Sequence, residues 1–291
     1  MDVSARIAQL MVYPVKSCRG IDLPTTRLEG TGLDWDRTWM LVDPQGEFVS
    51  QRELPRMALI TPTFKGPEVV LRAPGMLALH LHGERVEAPT RVRVWGDELQ
   101  AWDMGDLAAQ WFNDFLQPAA HGQPSLAPLR LVRFDPDVQR LSPMKWTGDV
   151  EAPNQFSDGF PILVASLASL ADLNERLVAA GHAPVEMARF RPNLVIDGVQ
   201  AFDEDRLDEL LITTAQGEVR LRMVKPCARC PIPNVNPTTG SSSPEVGDML
   251  QTYRQSSVVP GVTFGMNAIV VSGQGCDLAV GQAVSANWRF E

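Results

Sequence analysis

Two cysteines three positions apart, Cys227 and Cys230, stand in the run VKPCARCPIPNVNPTTG at 224–240, with Lys225 and Arg229 beside them. Thiols so placed can ligate a metal, cycle as a redox pair or act as a single reactive thiolate. Structural zinc needs four ligands. The rest of the chain offers only Cys18, Cys276 and four scattered histidines, with no second C-x-x-C and no H-x-x-x-H. A thioredoxin-like pair opens a helix whose N-terminal dipole activates the thiol, but Pro226, Pro231, Pro233 and Pro237 forbid a regular helix here. Iron–sulfur clusters need grouped cysteines in ferredoxin spacing, which this sequence lacks. What survives is one thiolate on a rigid loop, with neighbouring cations to favour its ionised form.

Such a loop has to be carried by other elements. The first hundred residues break into short alternating or β-branched runs separated by Gly, Pro and Asp, which predicts strands at 5–15, 38–42, 47–51 and 91–95. DPQG at 43–46 and WGDE at 95–98 read as turns. Near Asp106 the rhythm changes: DLAAQWFNDFL puts Leu107, Trp111 and Phe115 at helical spacing, with Pro118 to end the segment. A Pro/Gly/Ala-rich connector at 117–128 follows, so two modules are expected, 1–120 and 121–291. A buried strand at 162–165 then runs into a helix with Leu167, Leu170, Leu173 and Leu177 on its apolar face, Ser166 as N-cap and Gly181 past its end. Strands return after Phe190, as LVIDG, ELLITT, GEVRLRMV, VTFGMNAIVVSG and AVSANWRF. The fold class is mainly β with some α (α+β).

Composition excludes several functions. With 26 basic against 35 acidic side chains, a net charge of −9, no broad positive face exists for nucleic acid or anionic membranes. An anionic ligand therefore needs a local basic pocket. Four cysteines in 291 residues are too few for a disulfide framework, and MDVSARIAQL lacks the apolar core of a signal peptide. The longest apolar stretch, FPILVASLASLA at 160–171, is shorter than the roughly 20 residues a membrane helix needs. A soluble, cytoplasmic protein is expected.

The run KPCARC…VNPTTG, with RFRPN at 189–193, resembles the catalytic loop of the MOSC domain, named for the C-terminus of molybdenum cofactor sulfurase. The resemblance covers the whole chain. YPVKSC at 13–18, GLDWDRTWMLVD at 32–43 and SQRELPRM at 50–57 are similar to the family's N-terminal β-barrel module. ILVASLASLADLN at 162–174, FRPNLVIDG at 190–198, DEDRLDELLI at 203–212 and the YR…FG…GQAV tail follow in the same order. This is the order of the amidoxime-reducing components and their bacterial relatives, and it implies a MOSC β-barrel core behind an N-terminal β-rich module.

By that resemblance, Cys230 is the molybdenum ligand and the catalytic thiolate, with the pterin dithiolene of molybdopterin supplying two further sulfurs. Cys227 is its nearby alternative, or a small buried neighbour. The pterin's phosphate calls for cations and hydroxyls, and Lys16, Ser17, Arg37 and Arg191 match those positions. Asn193 suits the pterin or phosphate edge, and Asp158 and Ser166 flank the strand where the family meets its cofactor. Ser166 is equally a helix cap. Gln51 and Arg52 border the site in relatives. Glu204 and Asp205 lie in an acidic segment that a solvated turn explains as well, and Arg254 either closes the pocket or forms a structural ion pair. The chain departs from the family at Asn236, where an aspartate is usual, at Pro231 and Pro233, and at Leu207, where tryptophan is usual.

The resemblance thus implies a molybdenum-cofactor oxidoreductase that reduces N-hydroxylated compounds such as amidoximes or hydroxylamines. Without a ferredoxin-like cysteine cluster, its electrons are expected from a separate ferredoxin or reductase. A non-catalytic cofactor carrier is the alternative, and a purely structural β-rich protein a third.

Overall fold

In the computed structural model, which describes residues 2–117 and 128–289, a two-residue alternation decides what each strand buries. In Ile162–Ser166, Ile162 and Val164 join the interior of a barrel, while Ala165 faces a helical layer outside it. Leu194 and Ile196 point inward and Val195 outward in Leu194–Asp197, and Met266, Ala268 and Val270 fill the interior from Thr263–Ser272.

Seven strands close this barrel. Their order is Leu194–Asp197, Ile162–Ser166, Thr263–Ser272, Gly217–Ala228, Leu207–Thr214, Ala283–Trp288 and Val3–Val12, which pairs back onto Leu194–Asp197. Only Ile162–Ser166 and Leu194–Asp197 run parallel. A parallel pair needs a crossover, and the helix Leu167–Ala179 supplies it, capped by Ser166 and followed by Gly181 at φ 84°. A second helix, Glu245–Tyr253, packs beside it.

The other body is a four-stranded sheet in the order Trp39–Val42, Arg130–Phe134, Asp97–Asp103, Ala88–Val94, with the hairpin strands Thr61–Lys65, Glu68–Arg72 and Leu79–His82 nearby. The helix Asp106–Leu116 seals one core with Trp111, Phe112 and Phe115. Leu107, expected on that face, is 78% exposed, and Ala108 and Phe112 take its place. Pro118, most of the 117–128 connector and Phe290 lie outside the described residues.

Strand pairing crosses the expected 120/121 division in both directions. Val3–Val12 belongs to the barrel with the last strand, and Arg130–Phe134 lies in the four-stranded sheet. Residues 13–15 leave the expected first strand where Pro14 lacks an N–H to donate. The expected strand at 47–51 makes only isolated bridges, Val42 to Phe48 and Glu47 to Arg93. Among the described residues no helix is long and apolar enough to cross a membrane.

Candidate functional site

The segments that leave the barrel strands converge on one open cleft with about 820 Å³ of empty space, counted to its mouth. The residues following Val3–Val12 bring Lys16 and Ser17, and the turn before Trp39–Val42 brings Arg37. The loop before Leu194–Asp197 brings Arg191, and the end of Gly217–Ala228 brings Cys227 and Cys230. Ser17, Arg37 and Arg191 have φ of 68°, 52° and 59°. Three non-glycine residues in the left-handed region around one cleft are the kind of strain that tertiary structure sustains at functional sites.

The cations form a tight group. Lys16, 5% exposed, donates to the Phe156 carbonyl at 2.7 Å and to Asp158 Oδ1 at 2.5 Å. Arg37 Nη1 pairs with Asp36 Oδ2 at 2.5 Å, and its Nη2 donates to the Arg191 carbonyl at 3.2 Å. Arg191 Nη1 donates to the Cys18 carbonyl at 2.6 Å, while its Nη2 is buried with no partner. Burial pulls the Lys16 ammonium below its ordinary value, with Asp158 opposing. Asp158 is largely exposed, and the Lys16 ammonium and the Trp95 indole N–H hold its carboxyl below the usual range. For Arg191, burial and then the like charge of Arg37 push the guanidinium down to about 10. Three cations against Asp36 and Asp158 leave a net positive, incompletely partnered pocket.

The thiols face the same cleft and differ from each other. Cys227 Sγ accepts from Arg229 Nη1 at 3.0 Å, and Arg229 Nη2 donates to the Phe190 carbonyl at 2.9 Å. Cys230 Sγ has no hydrogen-bond partner among the described residues. Register shifts around Pro226 break the pairing of Gly217–Ala228 with its neighbour, and the short turn Ile232–Asn234 buries Pro233. Asn236 is spent within its own turn, where its Oδ1 accepts from the Thr238 N–H at 2.8 Å.

Other expected residues sit differently. Asn193 lines the cleft, but its amide staples two strands: Oδ1 accepts from the Leu163 N–H at 3.1 Å and Nδ2 donates to the Met11 carbonyl at 3.2 Å. Ser166, expected at the cofactor, does not line the cleft. Its hydroxyl caps the Ser169 N–H at 3.1 Å and donates to Glu204 at 2.9 Å, a buried network that leaves it nothing to offer a ligand. Glu204 is not in a solvated turn; it is fully buried and also accepts from the Ser169 hydroxyl at 2.6 Å. Asp205 and Arg254 form an ion pair away from the cleft. Gln51 Nε2 donates to the Ser17 carbonyl at 2.6 Å, which holds that strained backbone in place.

Arg52 lines the cleft with its guanidinium over Phe48 and Trp95, 5.3 and 4.8 Å from their ring centroids. Arg229 was expected beside the thiols, but Phe48 and Trp95 were not legible as site residues. Each sits in a turn or strand end whose aim only the tertiary structure sets.

Burial, with the Asp205 charge adding, pushes the Glu204 carboxyl up. An acid whose value is raised on folding binds protons more tightly in the folded state, so its contribution is full below its ordinary 4.5 and is lost as pH rises through the folded value. Glu204→Gln is expected to flatten that slope in urea titrations at several pH values. Glu204→Ala, which orphans two hydroxyls, is expected to destabilise by about 2–4 kcal/mol.

Residues 4–119 match the family described as the MOSC N-terminal beta barrel domain, and residues 151–285 the MOSC domain. The human mitochondrial amidoxime-reducing component 1 is 37% identical over 259 residues, covering 86% of this chain and 72% of the human protein. Bovine (Bos taurus) mitochondrial amidoxime reducing component 2 is 33% identical over 264 residues, with 85% and 72% covered. Component 1 of Xenopus laevis is 34% identical over 260 residues, with 86% and 71% covered. With both domains matched in order and such identity spread over most of its length, the chain belongs to the MOSC-domain family that includes the mitochondrial amidoxime-reducing components.

Proposed function

We propose that the chain is a molybdenum-cofactor-dependent oxidoreductase that reduces N-hydroxylated compounds, such as amidoximes or hydroxylamines, with electrons from a separate ferredoxin or reductase. One observation carries the reading: a single open cleft joins Cys230, whose thiol has no hydrogen-bond partner among the described residues, to a cluster of buried and half-buried cations that includes an orphaned guanidinium nitrogen. A group bearing sulfur-bound metal at one end and phosphate at the other fits that donor set. Cys230 is the soft ligand suited to molybdenum. Lys16, Ser17, Arg37 and Arg191 are the phosphate contacts, where guanidinium forks and a charge-assisted geometry suit the oxygens.

When bound, the cofactor supplies the two-electron chemistry that accepts the substrate oxygen. Overall, R–NH–OH, two electrons and two protons become R–NH2 and water. The chain's own residues bind and orient. Cys227 is held by Arg229 beside the metal ligand, and Phe48, Trp95 and Arg52 form an aromatic, cationic wall of the cleft against which a substrate can rest. The four free cysteines suit a reducing compartment, the cytoplasm in our reading.

Expression in a host that makes the cofactor, followed by elemental and pterin analysis, should find close to one molybdenum per chain. Benzamidoxime should then be reduced to benzamidine with a chemical reductant. Protein without molybdenum would refute the reading, and molybdenum without turnover of any N-hydroxylated substrate would make the chain a cofactor carrier.

A further inference from the structure

Tyr13 takes no part in the functions so far assigned, yet the cation group is built around it. The residue is 1% exposed. Arg191 Cζ lies 4.2 Å and Arg37 Cζ 4.3 Å from the centroid of its ring. Two like charges thus share one buried aromatic ring, whose quadrupole attracts both cations.

The backbone ties the same residues together. The Tyr13 N–H donates to Asp36 Oδ1 at 2.8 Å, the Arg37 N–H donates to the Tyr13 carbonyl at 2.9 Å, and Asp36 Oδ2 neutralises Arg37. Asp36 therefore compensates one guanidinium, while Arg191 rests on the Cys18 carbonyl and the ring face. Burial keeps the phenol un-ionised, and its hydroxyl reaches only the Met11 sulfur at 3.5 Å. The ring face, not the hydroxyl, is the part in use.

The ring is also clamped. A Cβ placed on Gly20 would lie 2.6 Å from Tyr13 Cε1 and 3.0 Å from Cδ1, so position 20 takes no side chain while the ring stays where it is. Tyr13 and Gly20 bracket the segment that presents Lys16 and Ser17.

We propose that Tyr13 is a positioning residue that holds the Arg37 and Arg191 guanidiniums together in advance of an anion, and that the group they are prepared for is the dianion of a phosphate monoester. The inference rests on the reading that this cleft takes a phosphate-bearing cofactor. Preorganisation is its content. With the ring in place, phosphate meets a formed fork, including the free Arg191 Nη2; without it, two repelling side chains have to be gathered at the cost of their rotamer freedom.

The test uses the full chain free of cofactor, with inorganic phosphate as probe, titrated by calorimetry. Tyr13→Phe keeps the ring face and should bind phosphate within about twofold of wild type. Tyr13→Leu keeps bulk without a quadrupole and should bind at least about tenfold more weakly, with an unchanged far-UV spectrum. Gly20→Ala, which displaces the ring from outside the cleft, should show the same loss, and it decides the matter if Tyr13→Leu fails to fold. Wild-type affinity in the variant that decides would overturn the positioning role while leaving the cofactor reading intact. A wild-type chain that takes up no phosphate would overturn the cradle itself, and with it both proposals.

Discussion

Cys230→Ala is expected to yield a folded chain without molybdenum, with N-hydroxylated substrate turnover below about 1% of wild type, since the other thiol of the cleft, Cys227, is already engaged by Arg229. Cys227→Ala is expected to retain close to one molybdenum per chain. The asymmetry follows from what each sulfur already does. Arg229 Nη1 engages the Cys227 sulfur at 3.0 Å, whereas the Cys230 sulfur opens unpartnered into the cleft. Metal analysis of the two variants, purified side by side from the same host, is the decisive measurement. Metal lost from Cys227→Ala and kept by Cys230→Ala would reverse the assignment.

Arg191→Met is expected to act in opposite directions on two measurements. Charge-assisted hydrogen bonds to a phosphate contribute about 1.5–3 kcal/mol each, so losing this fork should weaken phosphate affinity by roughly ten- to a hundredfold. The cofactor-free chain, however, should unfold at an equal or higher temperature, because an incompletely partnered buried charge is a cost that an apolar side chain of similar length removes. The pH dependence has a definite sign. A base pushed down to about 10 from its ordinary 12.5 burdens the folded state while it is charged, and that burden fades as pH rises through about 10. The stability advantage of Arg191→Met should therefore be full at neutral pH and shrink above pH 10. Thermal melts across that range check it, and a variant less stable than wild type at neutral pH would show that Arg191 is a structural ion pair and not a waiting ligand.

Much of this site was legible in the amino-acid sequence because its residues stand in short, ordered runs. Lys16 and Ser17 in YPVKSC, Arg37 in DWDRTW, Arg191 in FRPN and both thiols in KPCARC all face one cleft. What those runs could not convey was which atoms remain free after folding. Asn193 and Ser166 looked alike as polar candidates, yet backbone groups of two strands consume the amide of the first, and a helix N-terminus with a buried carboxylate consumes the hydroxyl of the second. Glu204 read as surface because acidic residues usually are. Three hydrogen bonds from Ser166 and Ser169 stabilise it inside. The turn at Trp95 was visible as a turn, but not that its indole reaches Asp158, 63 positions away. The pairing of Val3–Val12 with Ala283–Trp288 was hidden for the same reason, since composition reports local rhythm and not which distant strands pair.

That long-range pairing bears on how the barrel forms. Beyond a short pairing with Ile21–Asp22, the barrel partners of Val3–Val12 lie far along the sequence, in Leu194–Asp197 and Ala283–Trp288. During synthesis Val3–Val12 must wait for barrel partners made much later, an interval in which incompletely paired strands are exposed to misassociation. Lys16 and Ser17 hang directly from the end of that strand, so the anion cradle has no fixed geometry until the barrel closes. Any ligand that needs Lys16 and Ser17 in place can therefore be taken up only after the barrel has closed.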